Sequence, residues 1–490
     1  MKPTRKDDFR RKWRGYSEWL DNPLWLAFIS GVGLFLGVAT VKGGITVGAL
    51  AIVAMVGLPV VYAMLVFPVF GIICLLLLAY FLFYIFRLGV SFPLGTVLDG
   101  MQAFLLLGFL LRQRTSPDWS VFKGPVATAI LIWIGYNILQ VINPTAESRL
   151  AWVYTVRTIA VITLMYFVFL YQIRTLKQIR LILFVWLILS FVAALYAYKQ
   201  EYIGIPASEM ATLESDPLTV SLLFIDGHWR KYSIFSDPVE FSYNMVLGSL
   251  LCIVFLIGPI ARWKKGILAV MLALMAHSML FSGTRGAYVL IPAALVLLAI
   301  LKFSRNILIG SLIAAVFFVG LIFMPTSNPS IARFQTAFRP GDDASYNVRK
   351  MNQERIRPFI LSHPMGGGLG ATGMWGVRFA PHSYLANFPP DSGYVRVAVE
   401  TGWIGLFLIC MLIFVFLSSG INSYYLIQNP ELKMYCLAMV MVLFALNIGN
   451  FPQEALVQYP NNILFYLAIA IVQACYRLDV QLARQELGAN

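Results

Sequence analysis

Apolar residues gather into long runs between residues 24 and 478 of this 490-residue chain, and that feature limits the fold more than any other. A transmembrane helix needs about 20 mostly apolar residues. Lipid offers the backbone no hydrogen-bond partners, so a crossing segment satisfies its own peptide groups as a helix. Composition agrees with many such segments. Hydrophobic residues make up 59% of the chain, charged residues 12%, and mean hydropathy is +0.76. A soluble domain carries about 25% charged residues, so this chain lacks the polar surface to cover a water-soluble globule. The expected fold class is all-α: a polytopic helical membrane bundle of about 14 transmembrane helices.

The runs place spans near 24–41, 45–66, 69–86, 95–111, 125–141, 151–171 and 181–198, then 241–261, 267–281, 286–301, 307–324, 393–418, 434–449 and 462–477. Basic residues orient them. The start carries Lys2, Arg5, Lys6, Arg10, Arg11, Lys12 and Arg14, without a small-residue cleavage site after its apolar run, which reads as an anchored tail rather than a removed signal peptide. With that tail inside, the basic short connections Arg112 to Lys123, Arg174 to Arg180, Arg262 to Lys265, and Lys302 with Arg305 all fall on the cytoplasmic side. This organises the chain as a basic cytoplasmic tail (1–23), N-terminal membrane helices (24–198), an extracytoplasmic segment (199–240), core membrane helices (241–324), a large extracytoplasmic loop (325–392), C-terminal membrane helices (393–478) and a cytoplasmic tail (479–490). Structureless connectors of such length are rare unless they act as lids or binding sites.

Several function classes lose support at once. The net charge of +14 follows from Lys and Arg on cytoplasmic loops and does not call for nucleic acid. Cys74, Cys252, Cys410, Cys436 and Cys475 sit in or beside apolar runs and form no CxxC pair. No HExxH or Cys/His grouping appears, so neither a metal nor another cofactor is expected, and His277 reads as a buried span residue.

Polar residues at a helix mouth or inside a span are costly and are functional candidates by default. Three clusters stand out, all on the expected outer side. The first is Gly227-His228-Trp229-Arg230-Lys231-Tyr232-Ser233-Ile234-Phe235-Ser236-Asp237-Pro238. The guanidinium fork of Arg230 and the point charge of Lys231 suit a phosphate, though an interfacial Trp/Arg anchor would carry the same composition. The second is Ser282-Gly283-Thr284-Arg285-Gly286-Ala287, a turn whose glycines let backbone approach a ligand and whose free N–H groups favour an anion. A snorkelling structural Arg would look similar. The third is the long loop, with Arg333, Arg339, Arg349, Lys350, Arg355, Arg357 and Arg378. It continues through His363-Pro364-Met365-Gly366-Gly367-Gly368-Leu369-Gly370, Pro381-His382-Ser383-Tyr384 and Asp391-Ser392-Gly393-Tyr394 to Glu400-Thr401-Gly402-Trp403-Ile404-Gly405. No GK[ST] follows the glycines, so they do not form a Walker loop. Charge within the spans is sparse, with Asp99 and Arg157 the exceptions.

Taken in this order, the clusters resemble the bacterial O-antigen ligase/polymerase family of the polytopic C-type glycosyltransferase superfamily, over roughly residues 150–420. The resemblance is strongest in SGTRGA (282–287), HPMGGGLG (363–370) and ETGWIG (400–405). It implies an enzyme of the bacterial inner membrane, with its active site facing the periplasm. The donor would be an undecaprenyl-diphosphate-linked glycan and the acceptor a saccharide or lipid A-core hydroxyl. Membrane lipids and a chain-length regulator or flippase are the other implied partners, and no nucleotide or metal is implied. By the same resemblance Arg230, Lys231, Arg285 and Arg349 would bind the diphosphate, Arg285 would act in catalysis, and His382 would serve as base. His382 lies farther ahead of the Glu-x-Gly-x-x-Gly element than is usual in the family, which makes Asp391 a rival base. The Asp-Ser-Gly-Tyr form resembles the polymerases more than the ligases. A transporter of lipid-linked oligosaccharide or of a small anion is the alternative class.

Overall fold

The computed structural model describes residues 23–89, 93–225, 227–326, 332, 334–335, 338 and 344–488. The basic residues up to Arg14, and Arg333 and Arg339, lie outside them. The chain divides into two units, Met1–Val66 and Phe67–Asn490.

In the first unit, α1 runs unbroken over Pro23–Val66, so the two expected spans 24–41 and 45–66 lie on one 44-residue helix. The connector between them, Lys42-Gly43-Gly44, holds no proline. A glycine costs a helix only about 1 kcal/mol, which is too little to force a break inside so apolar a run.

The second unit is helical almost throughout. In chain order it comprises α2 (Pro68–Arg87), α3 (Leu94–Thr115), α4 (Pro125–Leu139), α5 (Arg149–Gln172), α6 (Leu176–Tyr202), α7 (Ala207–Glu214) and α8 (Pro217–Leu223). A two-residue hairpin follows, β1 (Phe224–Ile225) antiparallel to β2 (His228–Trp229). The remainder is α9 (Pro238–Leu256), α10 (Arg262–Leu280), α11 (Arg285–Tyr288), α12 (Leu290–Leu301), α13 (Arg305–Phe323), α14 (Ala344–Ser362), α15 (Gly373–Phe379), α16 (Gly393–Leu426), α17 (Pro430–Gly449) and α18 (Asn461–Gly488). Starts are marked by chemistry that suits a helix N-terminus. Proline opens α2, α4, α9 and α17, where its missing N–H costs nothing. The side chains of Ser148, Thr175, Asp237, Ser304 and Asn429 accept bonds from the first free amides of the helices they precede.

Among the described residues, ten helices are long and apolar enough to cross a membrane, and the all-α polytopic class is borne out. The expected spans 286–301 and 307–324 fall instead on short apolar helices, Arg285–Leu301 and Ile307–Phe323. The most deeply packed spans are α9, α17 and α18. Because successive helices alternate direction, the connectors sort to two ends of the bundle. One end carries Arg174 paired with Asp118 at 3.5 Å and Arg180 paired with Glu431 at 2.5 Å. The other gathers 203–237, 281–284, 363–392 and 450–460, which hold the three polar clusters.

One sequence expectation changes here. His277 is not buried: it lies on the outward face of the peripheral helix α10, with Nδ1 2.6 Å from the Tyr198 hydroxyl. The two in-span charges pair with each other, Arg157 lying 3.0 Å from Asp99, so the pair carries no net charge.

Candidate active site

The first cluster is fixed from below by a residue that the sequence reading passed over. Arg87, the last residue of α2, donates to the carbonyls of Phe235 (2.5 Å) and Ser233 (2.7 Å). It also stacks 4.5 Å over the Tyr232 ring and lies 3.5 Å from Glu209. Glu209 in turn accepts from Tyr232 at 3.0 Å and from Tyr196. Ser233 is held with φ 54°, and its amide donates to Gln200 at 2.9 Å. The signal for Arg87 was a lone cation closing an apolar run on the side where short basic loops are absent.

This scaffold carries Arg230 to the second cluster. Its Nε donates to the Ser282 carbonyl (2.8 Å), Nη2 to the Thr284 hydroxyl (3.1 Å) and Nη1 to the Leu222 carbonyl (3.2 Å). The Lys231 amide donates to the Phe281 carbonyl at 3.0 Å. The Thr284 hydroxyl donates onward to the Pro238 carbonyl (3.1 Å), which ties the turn to the start of α9. Gly283 takes φ 58°, a conformation in which a side chain would be strained. Clusters separated by 52 residues therefore form one cationic turn, with the partly buried Arg285 as its next residue.

The other expected diphosphate ligands part company. Lys231 is buried, with Nζ 3.2 Å from Glu201 and donating to the Trp229 carbonyl at 2.8 Å. It is spent in this internal ion pair, while Arg230 beside it reaches the Ser282–Thr284 turn. Arg349, on α14, lies within charge range of Tyr243. The Tyr243 hydroxyl donates to the Gly449 carbonyl at 2.9 Å. A Cβ at Gly286 would sit 3.2 Å from that hydroxyl and 3.1 Å from Pro452. The Arg285-Gly286 turn thus borders Tyr243, the residue whose charge environment Arg349 shares.

The glycine run and the Glu-Thr-Gly-Trp-Ile-Gly element form one unit at the top of α16. Gly367 and Gly368 donate to the Val399 and Glu400 carbonyls at 2.8 and 2.9 Å. Gly370 donates to the Glu400 carboxylate at 3.1 Å, and so does the Thr372 hydroxyl. Gln140 and Asn143 reach across to the Met365 carbonyl at 3.2 and 2.9 Å. Close backbone approach explains the glycines, as no phosphate cradle is needed to account for them. Glu400 also binds Arg396 (3.2 Å), whose other arm reaches Glu454 at 3.0 Å. Burial, with the charges of Glu400 and Asp391 adding to it, holds the Glu454 carboxyl above the usual glutamate range, while Arg396 draws it back.

The rival bases occupy different places. His382 is exposed, next to Ser383, whose hydroxyl donates to Glu147 at 2.7 Å. Asp391 is partly buried, within charge range of Glu454 and beside Ser392, which donates to the Asn450 carbonyl at 3.3 Å. The long spacing from His382 to Glu400 is taken up by Leu385 and Phe388, packed on Ile356 and Val399. Among the described residues, no group of three or more His, Cys, Asp or Glu side chains is placed to hold a metal ion.

Fold and site together define a polytopic helical membrane protein whose polar machinery is gathered at one end of its bundle around an arginine-rich turn. Residues 270–410, which contain all three motifs from SGTRGA to ETGWIG, match the family model described as O-antigen ligase. The match supports likeness to the O-antigen ligase/polymerase family over that segment, and what that family implies is a glycosyltransferase type of activity. No curated protein matches the chain.

Proposed function

We propose that this protein transfers a glycan from undecaprenyl diphosphate to a saccharide hydroxyl at the periplasmic face of the bacterial inner membrane. The observation that carries the reading is the junction of Arg230 with the Ser282–Thr284 turn beside Arg285. A diphosphate leaving group needs fixed cations where its charge grows, and preorganised donors there lower the barrier most. In the transfer, the acceptor oxygen bonds to the anomeric carbon as the bond from that carbon to the diphosphate oxygen breaks. The electron pair leaves with undecaprenyl diphosphate, and Arg230 and Arg285 stabilise it, with Arg349 nearby. The acceptor's proton passes to His382 or to Asp391. The step requires no metal or nucleotide. The Asp-Ser-Gly-Tyr form at 391–394 favours a polymerase over a lipid A-core ligase, working with a chain-length regulator or a flippase. A transporter would need charges set for ions or substrate near the midplane, and the neutral Asp99–Arg157 pair offers little for that role.

The test is an assay of purified protein with synthetic undecaprenyl-diphosphate oligosaccharide, without nucleotide or added metal. A ladder of longer lipid-linked glycans identifies a polymerase. Release of glycan only when lipid A-core is added identifies a ligase, and an intact donor with every acceptor overturns the reading. His382→Ala and Asp391→Ala in the same assay separate the bases, since the true base costs about 10²–10⁴-fold.

Arg230→Lys is expected to lower the transfer rate at least tenfold, as about 1.4 kcal/mol of lost transition-state binding suffices for that. Lysine keeps the charge but cannot bridge the Ser282 carbonyl, Thr284 hydroxyl and Leu222 carbonyl together. Initial rates check this, and a wild-type rate would leave Arg230 as an interfacial anchor only.

A further inference from the structure

At the end of the bundle away from the Arg230–Arg285 turn lies a cavity of 400 Å³. The α9–α10 turn, the C-terminal ends of α12 and α16, and the start of α17 enclose it. Its size falls in the range of about 300–1,000 Å³ that small-molecule pockets occupy. The glycan-transfer chemistry uses none of its lining.

Two partly buried lysines border the cavity, Lys302 just after α12 and Lys433 in the first turn of α17. Among the described residues, the lining holds no Asp or Glu. Lys302 Nζ stands 3.5 Å from the Ile257 carbonyl, at the long limit of a hydrogen bond. Lys433 lies over the Tyr424 ring at 5.2 Å. Neither partner is an anion. Burial first, and then the charge of Lys265, hold the Lys302 ammonium below the usual lysine range.

The carboxylates beside this wall are engaged elsewhere. Glu431 holds Arg180 through both oxygens at 2.5 Å and accepts from the Tyr435 hydroxyl at 2.7 Å. Asp479 accepts the Gln428 and Asn429 amides at 3.0 and 2.8 Å. Positive charge at the cavity mouth is therefore left for an anion from outside the protein.

Farther along the helices the wall turns apolar, with Val254, Met434 and Leu437. Gly258 lies so close to α17 that a Cβ there would stand 2.0 Å from Met434 Sδ, which seats the α9–α10 turn on that helix. At the same end Trp263 and Tyr425 are 68% and 53% exposed. Such amphipathic rings settle at the headgroup level of a membrane. A mouth lined by cations over an apolar wall, at that level, fits an amphiphile whose charged part is a phosphate. Basic pockets between transmembrane helices are known to hold anionic headgroups in this manner.

We propose that this cavity binds an anionic phospholipid, with Lys302 and Lys433 holding its phosphate and the apolar wall receiving the start of an acyl chain. A zwitterionic lipid brings an ammonium of its own, which the lysines repel, so the site selects for net negative charge.

Native mass spectrometry of purified, delipidated full-length protein would resolve each bound lipid as a separate mass. Dioleoyl phosphatidylglycerol is expected to fill one site with at least about tenfold higher affinity than dioleoyl phosphatidylcholine. The double variant Lys302→Gln/Lys433→Gln should lose that preference, and Lys433→Gln alone reads the same loss if the double variant does not fold. Lys123→Gln/Lys177→Gln removes two exposed charges from the same end of the bundle and should bind as the wild type does. Equal affinity for the two lipids, a preference that survives in the Lys302 and Lys433 variants, or an equal loss in the Lys123/Lys177 variant would mean diffuse surface attraction and overturn the proposal. Displacement of the lipid by glycerol 3-phosphate at similar concentration would make the ligand a soluble phosphate ester and overturn it as well. No glycan enters the experiment, so its outcome is independent of the glycan-transfer reading.

Discussion

Arg285→Ala is expected to lower glycan transfer by about 10²–10³-fold, the loss that follows removal of one donor to a developing anion. The effect should fall on turnover. Arg285 opens the short helix after the Ser282–Thr284 turn, and that turn is held by groups other than its side chain. Arg230 binds the Ser282 carbonyl and Thr284 hydroxyl, and Thr284 binds the Pro238 carbonyl. The truncated protein should therefore purify as a folded species with an unfolding temperature close to the wild type's. Single-turnover rates with lipid-linked oligosaccharide, beside a thermal melt in detergent, provide the check. Polymer synthesis at the wild-type rate would remove Arg285 from the site and leave it a snorkelling cation.

Gly402→Ala is expected to act in the opposite manner, through the fold. Gly402 has φ 72° and ψ −176°, inside a helix that otherwise runs from Gly393 to Leu426. That region of backbone space is open essentially to glycine alone, and forcing another residue into it costs about 1–3 kcal/mol. A Cβ there would also stand 1.9 Å from the Pro364 carbonyl oxygen, an overlap that adds about 1–3 kcal/mol if the loop yields. The expected total is about 2–6 kcal/mol. Glu400, two residues earlier, would lose its register with Gly368, Gly370 and Thr372, so transfer should fall together with the melting temperature. An unchanged melt for Gly402→Ala would mean that the His363–Gly370 run is not seated on α16 as described. The two variants thus separate a residue that works on substrate from one that holds the place where substrate sits.

Parts of this arrangement could be read from the chain because they are local. A run such as Val69–Arg87 can satisfy its peptide groups in lipid only as a helix, whatever lies beside it. Pro68, Pro125, Pro238 and Pro430 mark helix starts by their own geometry. Alternation of such helices sends the Arg230, Arg285 and His363–Glu400 segments to one end of the bundle without any knowledge of packing. Locality also explains an error. The break expected between 41 and 45 falls on a lysine and two glycines, which interrupt the apolar run but do not end a helix.

Pairing between distant segments was decided by tertiary structure alone. Nothing in Gly227–Pro238 says that Arg230 will bind a turn 52 residues away while its neighbour Lys231 turns inward to Glu201. Arg87 became visible as the support of that segment only once Ser233 and Phe235 lay against it, 146 and 148 residues on. Hydropathy and helix propensity are properties of a segment, so the sequence by itself determined the membrane class and the helices. A hydrogen bond between residues far apart depends on how those helices pack, and the site is made of such bonds.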